Sequence, residues 1–273
     1  MKKILTLLLL LSYALFSLEI ETGGGAFNPE VKGLIQYQNN LLEGSTASVD
    51  NTPQYHAYLW MDITIDTLYT PHVLLGYNRV ETSGKSFFNV QTVNNQVNDF
   101  LNGILSSIKG YEQRGVPLYS TLKNNIFDAF VYTDIFEDET LPTIGFGAGL
   151  KHFNYTFIVP FSGENENGEQ YRYKVIDDGG ATIPMLYTSL KQHLEEYPVD
   201  FEIAMKYYVF GDSDIYDLTA KMNVMLDVTK RVKLGAEIGY KDSKFNIKGN
   251  DIDNVGGKMR YKGIFGGLTA SFY

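Results

Sequence analysis

The closing stretch of the chain, residues 263–273, reads Gly-Ile-Phe-Gly-Gly-Leu-Thr-Ala-Ser-Phe-Tyr. Every second side chain in this stretch belongs to a stripe that is apolar or small: Ile264, Gly266, Leu268, Ala270 and Phe272. A period of two places alternate side chains on opposite faces of a β-strand. The stretch is therefore predicted to be a strand with one apolar face and an aromatic residue at the end of that face.

The same alternation recurs upstream of this strand. In residues 230–241, Leu234 and Ile238 alternate with Lys233 and Glu237. Such runs suit a bilayer crossing of about 9–11 tilted residues. After residue 17 no run of about 18 consecutive apolar residues occurs, so a membrane crossing requires a closed barrel in which the backbone groups are paired. A soluble β-sandwich also alternates, but it has no need of so many charges opposed to clean apolar stripes.

The pattern predicts an all-β fold, a transmembrane antiparallel β-barrel of about 10 strands. Long and short connections alternate, as in bacterial barrels, with the long ones at 28–54, 83–124, 153–179 and 243–256. One exception is 210–213, a short turn where a long connection is due. Eight strands are an alternative if the first or the irregular sixth strand belongs elsewhere, and twelve if 31–37 or 155–161 add crossings. The predicted strands are 18–27, 55–65, 72–82, 125–136, 143–152, 180–192, 199–209, 214–228, 231–242 and 257–273.

The first 17 residues have the pattern of a secretory signal peptide. Lys2 and Lys3 precede an apolar run that begins at Ile4 and ends at Phe16. This run is shorter than the roughly 20 residues that a transmembrane helix needs. We expect cleavage after Ser17 and one barrel domain in residues 18–273, located in the outer membrane of a Gram-negative cell.

Composition and charge exclude several classes of function. The net charge of −9 makes nucleic acid an unfavourable partner, because nucleic-acid binding relies on clustered cations. The chain has no Cys, so disulfides, thiolate chemistry and a lipid-modified cysteine are excluded. No cofactor motif is present, and the glycines at 23–25 are followed by neither a helix nor the Lys-Ser/Thr of a phosphate loop.

The polar faces of the predicted strands would line the lumen. Charges of both signs lie on these faces, and charges buried in a narrow barrel must be paired. The favoured interpretation is a mutually neutralised interior that makes the barrel rigid, and the alternative is a narrow polar pore or ligand pocket. The lumen candidates are Glu19, Glu21, Asp62, Asp128, Lys151, Lys191, Glu202, Lys206, Lys221, Lys233 and Glu237.

Catalytic and metal-binding constellations are weak in this sequence. His72 and His193 lie at predicted periplasmic turns, whereas His56 and His152 lie near the predicted outer rim. A rim site formed by those two and an acid is conceivable, but solvated histidines are the commoner case. The acidic run around 249–254 lacks the glycine spacing and the final Glu of a calcium loop. The sequence therefore predicts that the protein is not an enzyme, with no cofactor and no metal site.

One long connection carries a helical pattern. Within 83–124, apolar side chains recur at helical spacing from Val97 to Ile108, and Asn98 or Asp99 could cap the start. We expect a short helix here that packs on neighbouring loops, caps or plugs the barrel, or lies on the membrane.

Several stretches resemble, in order, a family of small bacterial outer-membrane β-barrel proteins of unassigned function. The resemblance covers most of residues 18–273 and implies the fold and the location, with no established chemistry. One departure is that Tyr273 follows the outward aromatic stripe by one residue, so Phe272 is the expected signal for the barrel-assembly machinery. The stretches are 18–29, 33–37, 183–187, 213–221, 234–240 and 263–269.

Together these features predict a structural or surface-interaction protein that acts through long extracellular loops. The alternative is a narrow pore or small-ligand uptake channel, porin-like, with a charged lumen. The expected partners are outer-membrane lipid and the assembly machinery, and the extracellular partner is not specified by the sequence.

Overall fold

The computed structural model describes residues 18–36, 46–51, 55–65, 71–89, 116–136, 142–164, 170–194, 197–210, 213–247 and 256–273. All of its regular elements are strands. They are β1 (Leu18–Gln36), β2 (Thr46–Asn51), β3 (His56–Ile65), β4 (Pro71–Asn89), β5 (Val116–Phe136), β6 (Thr143–Glu164), β7 (Gln170–Leu194), β8 (Val199–Phe210), β9 (Ser213–Thr229), β10 (Val232–Ile247) and β11 (Gly256–Phe272).

The strands form one antiparallel sheet that closes on itself. Except for β2 and β3, each strand pairs with its neighbours in the chain, and β1 pairs with β11 from Ile20 opposite Phe272 to Gln36 opposite Gly256. Both β2 and β3 lie between β1 and β4, so they are two parts of one strand position. The described sheet is therefore a closed barrel of ten strand positions, which confirms the predicted fold and strand number.

Several strands are longer than the alternation predicted. Residues 31–36 continue β1 and residues 155–161 continue β6, so neither stretch adds the crossing that a twelve-stranded barrel would need. Likewise β4 extends to Asn89 and β5 begins at Val116, inside the connection predicted at 83–124. These extensions exceed what a bilayer crossing needs, and their outward faces carry no continuous apolar stripe, so the sequence pattern did not show that they continue existing strands.

The two ends of the barrel differ. We call the end that carries the 90–115 connection the loop end, and the end that carries the 230–231 turn and both Leu18 and Tyr273 the turn end. The predicted helix at 97–108 and the predicted signal peptide at 1–17 lie outside the described residues. Among the described residues, no helix is long and apolar enough to span a membrane.

The wall has an apolar outside. Leu268, Ile264 and Leu226 keep 74%, 60% and 61% of their surface exposed, although such side chains are usually buried in a soluble protein. The residues between them on the same strands point inward, as the period of two requires. An exterior of this kind matches a wall that faces lipid.

Candidate functional site

The charged interior is the candidate site, and its centre is a chain of five alternating charges. The Lys151 Nζ lies 2.6 Å from Asp128 Oδ1 and 3.0 Å from Asp217 Oδ2. The outer members are Lys206, 2.5 Å from Asp128 Oδ2, and Lys241, 3.2 Å from Asp217 Oδ2. We call these five residues the central ion network.

The central ion network joins strands that are not neighbours. Asp128 lies directly opposite Lys151 on adjacent strands, and Asp217 lies directly opposite Lys206 on another adjacent pair. Lys151 on β6 then reaches Asp217 on β9, with β7 and β8 between these strands in the wall. The contact therefore crosses the interior, where Lys151 is 0% exposed.

A second group of contacts crosses from β3 to β10. The Tyr58 hydroxyl and the Trp60 Nε1 each donate a hydrogen bond of 2.8 Å to Glu237 Oε1. The Lys221 ammonium lies 3.8 Å from the centre of the Trp60 ring and 3.1 Å from Glu202 Oε2. Since an ammonium over an indole ring is attracted by the ring's negative face, this packing fixes both side chains.

A third group surrounds His72, closer to the turn end. The Nδ1 of His72 lies 3.7 Å from Asp62 Oδ1, and its Nε2 lies 3.3 Å from Asp134 Oδ2. The Tyr132 hydroxyl donates to Asp62 and accepts from the Lys191 Nζ at 2.7 Å. The sequence placed His72 at a predicted periplasmic turn, and the structure shows its side chain inside the barrel and only 7% exposed.

The structure places the predicted lumen residues in two zones. Glu19 and Lys233 line a cavity of about 740 Å³ at the turn end. Four more border both this cavity and the deeper ionic zone: Glu21, Lys191, Glu202 and Lys221. The remaining candidates lie only in the deeper zone, and the role of all of them as lumen residues stays a prediction: Asp62, Asp128, Lys151, Lys206 and Glu237. Phe272 is the last residue of β11 and is 45% exposed, and its role in assembly likewise stays a prediction.

The sequence reasoning missed two members of the central ion network, Asp217 and Lys241. It also missed Tyr58 and Tyr132, whose hydroxyls donate hydrogen bonds to Glu237 and Asp62. Asp217 and Lys241 lie on the same strand faces as Lys221 and Glu237, so the alternation alone could have identified them. Tyr58 and Tyr132 carried no such signal, because a tyrosine on an inward face does not show which carboxylate its hydroxyl will reach.

Above the ion pairs, toward the loop end, the interior is apolar. The Phe245 ring packs edge-on against Phe153 and against Tyr261, with both ring centroids 5.7 Å away. Phe157 and Leu122 are 0% exposed. Between this apolar layer and the turn end, the ionic zone borders a cavity of about 110 Å³, which has room for several waters.

The two rim histidines do not form a joint site. His56 Nδ1 accepts a hydrogen bond of 3.2 Å from the backbone N–H of Glu81. His152 Nδ1 lies 2.8 Å from Thr182 Oγ1. His152 follows the inward-facing Lys151 and therefore points outward, whereas His56 shares the inward face of Tyr58. The wall separates the two rings, so the hypothetical rim site is wrong.

Comparison with known proteins supports the class of fold. No protein-family model matches the sequence, and no curated protein matches it significantly. Among solved structures, the outer-membrane protease OmpT from Escherichia coli matches with a TM-score of 0.53 and 11% identity over 93% of this chain and 96% of that chain. The toluene transporter TodX from Pseudomonas putida (TM-score 0.30, 10% identity, 96% and 91% covered) and the transport unit of the autotransporter AIDA-I from Escherichia coli (0.36, 9%, 94% and 90%) are also similar.

The fold is thus that of an outer-membrane β-barrel. At these identities the likeness to OmpT concerns the fold alone. The prediction that the protein is not an enzyme is nevertheless wrong. The same fold carries a protease in OmpT, so an enzymatic activity is not excluded. Neither the barrel nor the scarcity of catalytic motifs in the sequence is therefore a ground for excluding catalysis.

Proposed function

We propose that this protein resides in the outer membrane as a barrel with a closed interior, and that it acts through the surface at its loop end, in binding or in a structural role. The loop end faces the outside and the turn end faces the periplasm, as in bacterial barrels with short periplasmic turns. The proposal rests chiefly on one observation, which is that side chains fill the barrel interior between the turn-end cavity and the loop end.

Two features support a closed interior. Lys151 and Glu237 each bond across the barrel, which places polar side chains over the middle of the lumen. The rings of Phe153, Phe245 and Tyr261 occupy the half nearer the loop end. Because a narrow barrel filled by side chains leaves no wide water column, solutes would find no continuous path.

The strand extensions support a role for the loop end. The β6–β7 pair continues to Glu164 opposite Gln170, well past Phe153, which already lies in the apolar layer toward the loop end. At 22 and 25 residues, these strands exceed the roughly 9–11 residues of a bilayer crossing. The excess is a paired two-stranded extension beyond the apolar layer, and such an extension outside the membrane suits contact with an external partner.

The test is conductance of the refolded chain 18–273 in a planar lipid bilayer. We expect the refolded barrel to pass no discrete current steps. Its different migration in gel electrophoresis before and after heating would show that it is folded. Reproducible steps that change in Lys206→Gln, a substitution within the central ion network, would instead support the narrow-pore alternative.

Trp60 provides an independent measurement, because it is the single tryptophan of the chain and lies against Lys221 inside the barrel. We expect iodide to quench its fluorescence weakly in the folded barrel and strongly after unfolding. Strong quenching in the folded state would contradict a closed interior.

A further prediction concerns assembly. We propose that Phe272 is the residue that the barrel-assembly machinery recognises, because it is the terminal aromatic on the outward face. Phe272→Ala should lower the amount of folded barrel in the outer membrane severalfold, while Tyr273→Ala is the matched control. An equal loss in both variants would assign the effect to the terminus in general.

A further inference from the structure

The outer wall carries a row of three cations at the loop end of β1, β11 and β10. Lys32 lies directly opposite Arg260, and Arg260 lies directly opposite Lys244 on its other side. Like charges directly opposite each other on neighbouring strands destabilise a sheet. A row of this kind is unfavourable unless nearby anions compensate it.

Carboxylates offset part of the repulsion within the row: Lys32 lies 2.5 Å from Glu30 and directly opposite Asp50 on β2, and Lys244 lies 2.5 Å from Asp214. Two further cations, Lys258 and Lys262, lie on the same outward face of β11, and three carboxylates lie among the five cations. We call these eight residues the basic patch. Its members have a net charge of +2, or +1 when Asp50 opposite Lys32 is counted with them, in a chain whose net charge is −9. They are Glu30, Lys32, Asp214, Asp242, Lys244, Lys258, Arg260 and Lys262.

Each carboxylate is already engaged by a cation of the basic patch. Glu30 lies 2.5 Å from the Lys32 Nζ and 3.2 Å from the Lys262 Nζ. The Asp242 carboxylate accepts hydrogen bonds from both Nε and Nη2 of Arg260, with donor–acceptor distances of 2.8 and 2.5 Å. A guanidinium has five N–H donors, and Asp242 uses only two of them.

The cations remain accessible despite these pairs. The side chains of Lys32 and Arg260 are 56% and 49% exposed, and Lys258 is also exposed. These side chains belong to the same outward stripe as the apolar residues of the wall, so they are directed away from the interior. Their remaining positive charge is directed at whatever surrounds the barrel.

The position of the basic patch relative to the apolar belt indicates the chemistry of that surrounding. Along β11 the outward side chain that follows Lys262 is Ile264, which is 60% exposed, and Leu268 is 74% exposed. Along β10 the outward side chain that precedes Asp242 is Tyr240, which is 44% exposed. A net positive row therefore lies immediately above an apolar surface with an aromatic at the boundary, as at a membrane interface.

We propose that the basic patch binds the phosphate groups of an anionic lipid in the outer leaflet, with the acyl chains of that lipid on the apolar wall below. The proposal rests on the outer-membrane placement given above, but not on a closed interior. Arg260 and the flanking lysines attract the phosphates, since Arg and Lys both donate charge-assisted hydrogen bonds to phosphate oxygens. The bound lipid would also relieve the repulsion within the row.

The test uses the refolded chain 18–273 in neutral detergent micelles. Binding is measured by native mass spectrometry for phosphatidylglycerol and for phosphatidylcholine with the same acyl chains. We expect clear preference for the anionic lipid and at least a tenfold weaker affinity for it in Lys32→Gln/Lys258→Gln. The control Lys230→Gln/Arg231→Gln removes two exposed charges at the turn end and should leave the affinity within twofold.

The outcomes separate this proposal from its alternatives. Equal losses in the two double variants, or no loss in the first, would overturn the assignment to the basic patch. Native mass spectra in which millimolar inorganic phosphate binds as strongly as the lipid would indicate a free-phosphate site and overturn the lipid assignment. Heat-dependent migration checks folding in each variant, and Lys258→Gln alone serves if the double variant does not fold. Bilayer conductance, which tests the closed interior, is independent of all these results.

Discussion

Gly25→Val is expected to prevent the barrel from closing, with loss of the folded form that migrates differently before and after heating. Gly25 lies opposite Gly267 at the seam where β1 pairs with β11. A side chain at Gly25 would overlap the carbonyl oxygen of Gly266, and its Cβ would lie 2.5 Å from the Gly267 Cα. Those are backbone atoms of the closing strand, so they can move aside only by opening the seam.

The adjacent residue supplies the control for this prediction. Ala26 is exposed on the outward face of β1, so Ala26→Val adds its two methyl groups toward lipid and should fold normally. Overpacking usually costs about 1–3 kcal/mol, and a clash with a backbone exceeds that range. A Gly25→Val barrel as stable as Ala26→Val would show that the seam adjusts and would contradict the prediction.

Asp128→Asn should destabilise the barrel more than Lys151→Met, although Lys151 is the more deeply enclosed side chain. Asp128 bonds both Lys151 and Lys206, so its neutralisation leaves three lysines of the central ion network with one carboxylate. Breaking a buried pair in this way costs about 3–5 kcal/mol. Removal of Lys151 instead leaves two intact pairs, Lys206 with Asp128 and Lys241 with Asp217.

The measurement is unfolding in urea, followed by the fluorescence of Trp60. We expect the free energy of unfolding to be highest in the wild type, lower in Lys151→Met and lowest in Asp128→Asn. The double variant Asp128→Asn/Lys206→Met removes the unpaired lysine and should recover part of the loss. Equal destabilisation by the two single variants would mean that the five charges act as a unit, and that pair counting does not apply here.

The position of each residue on the wall could be predicted from the sequence, and the length of each strand could not. The facing of Leu234 and Glu237 follows from the period of two, because adjacent side chains in a strand must point to opposite sides. The same rule gives no signal where a strand leaves the bilayer, as in the extensions that end at Gln36 and Asn89, because both faces there are free to be polar.

The candidate site shows the same division. The alternation predicted that Lys151 and Glu202 face inward together with other charges of both signs, and the expectation that buried charges are paired follows from their desolvation cost. Which pairs form was not readable from the chain. The Lys151–Asp217 contact joins residues 66 apart in sequence, and the Tyr58–Glu237 hydrogen bond joins residues 179 apart.

The sequence by itself determined the class of fold and the apolar outer wall and predicted about ten strands, because these depend on local alternation and on the turns between strands. Pairing in the closed sheet then decided against eight and twelve strands. Only the tertiary structure decided the partners of each charge, the position of His72 inside the barrel and the row formed by Lys32, Arg260 and Lys244. The physical reason is the stagger between strands: closing the barrel fixes the register of β1 on β11, and that register sets which side chains meet.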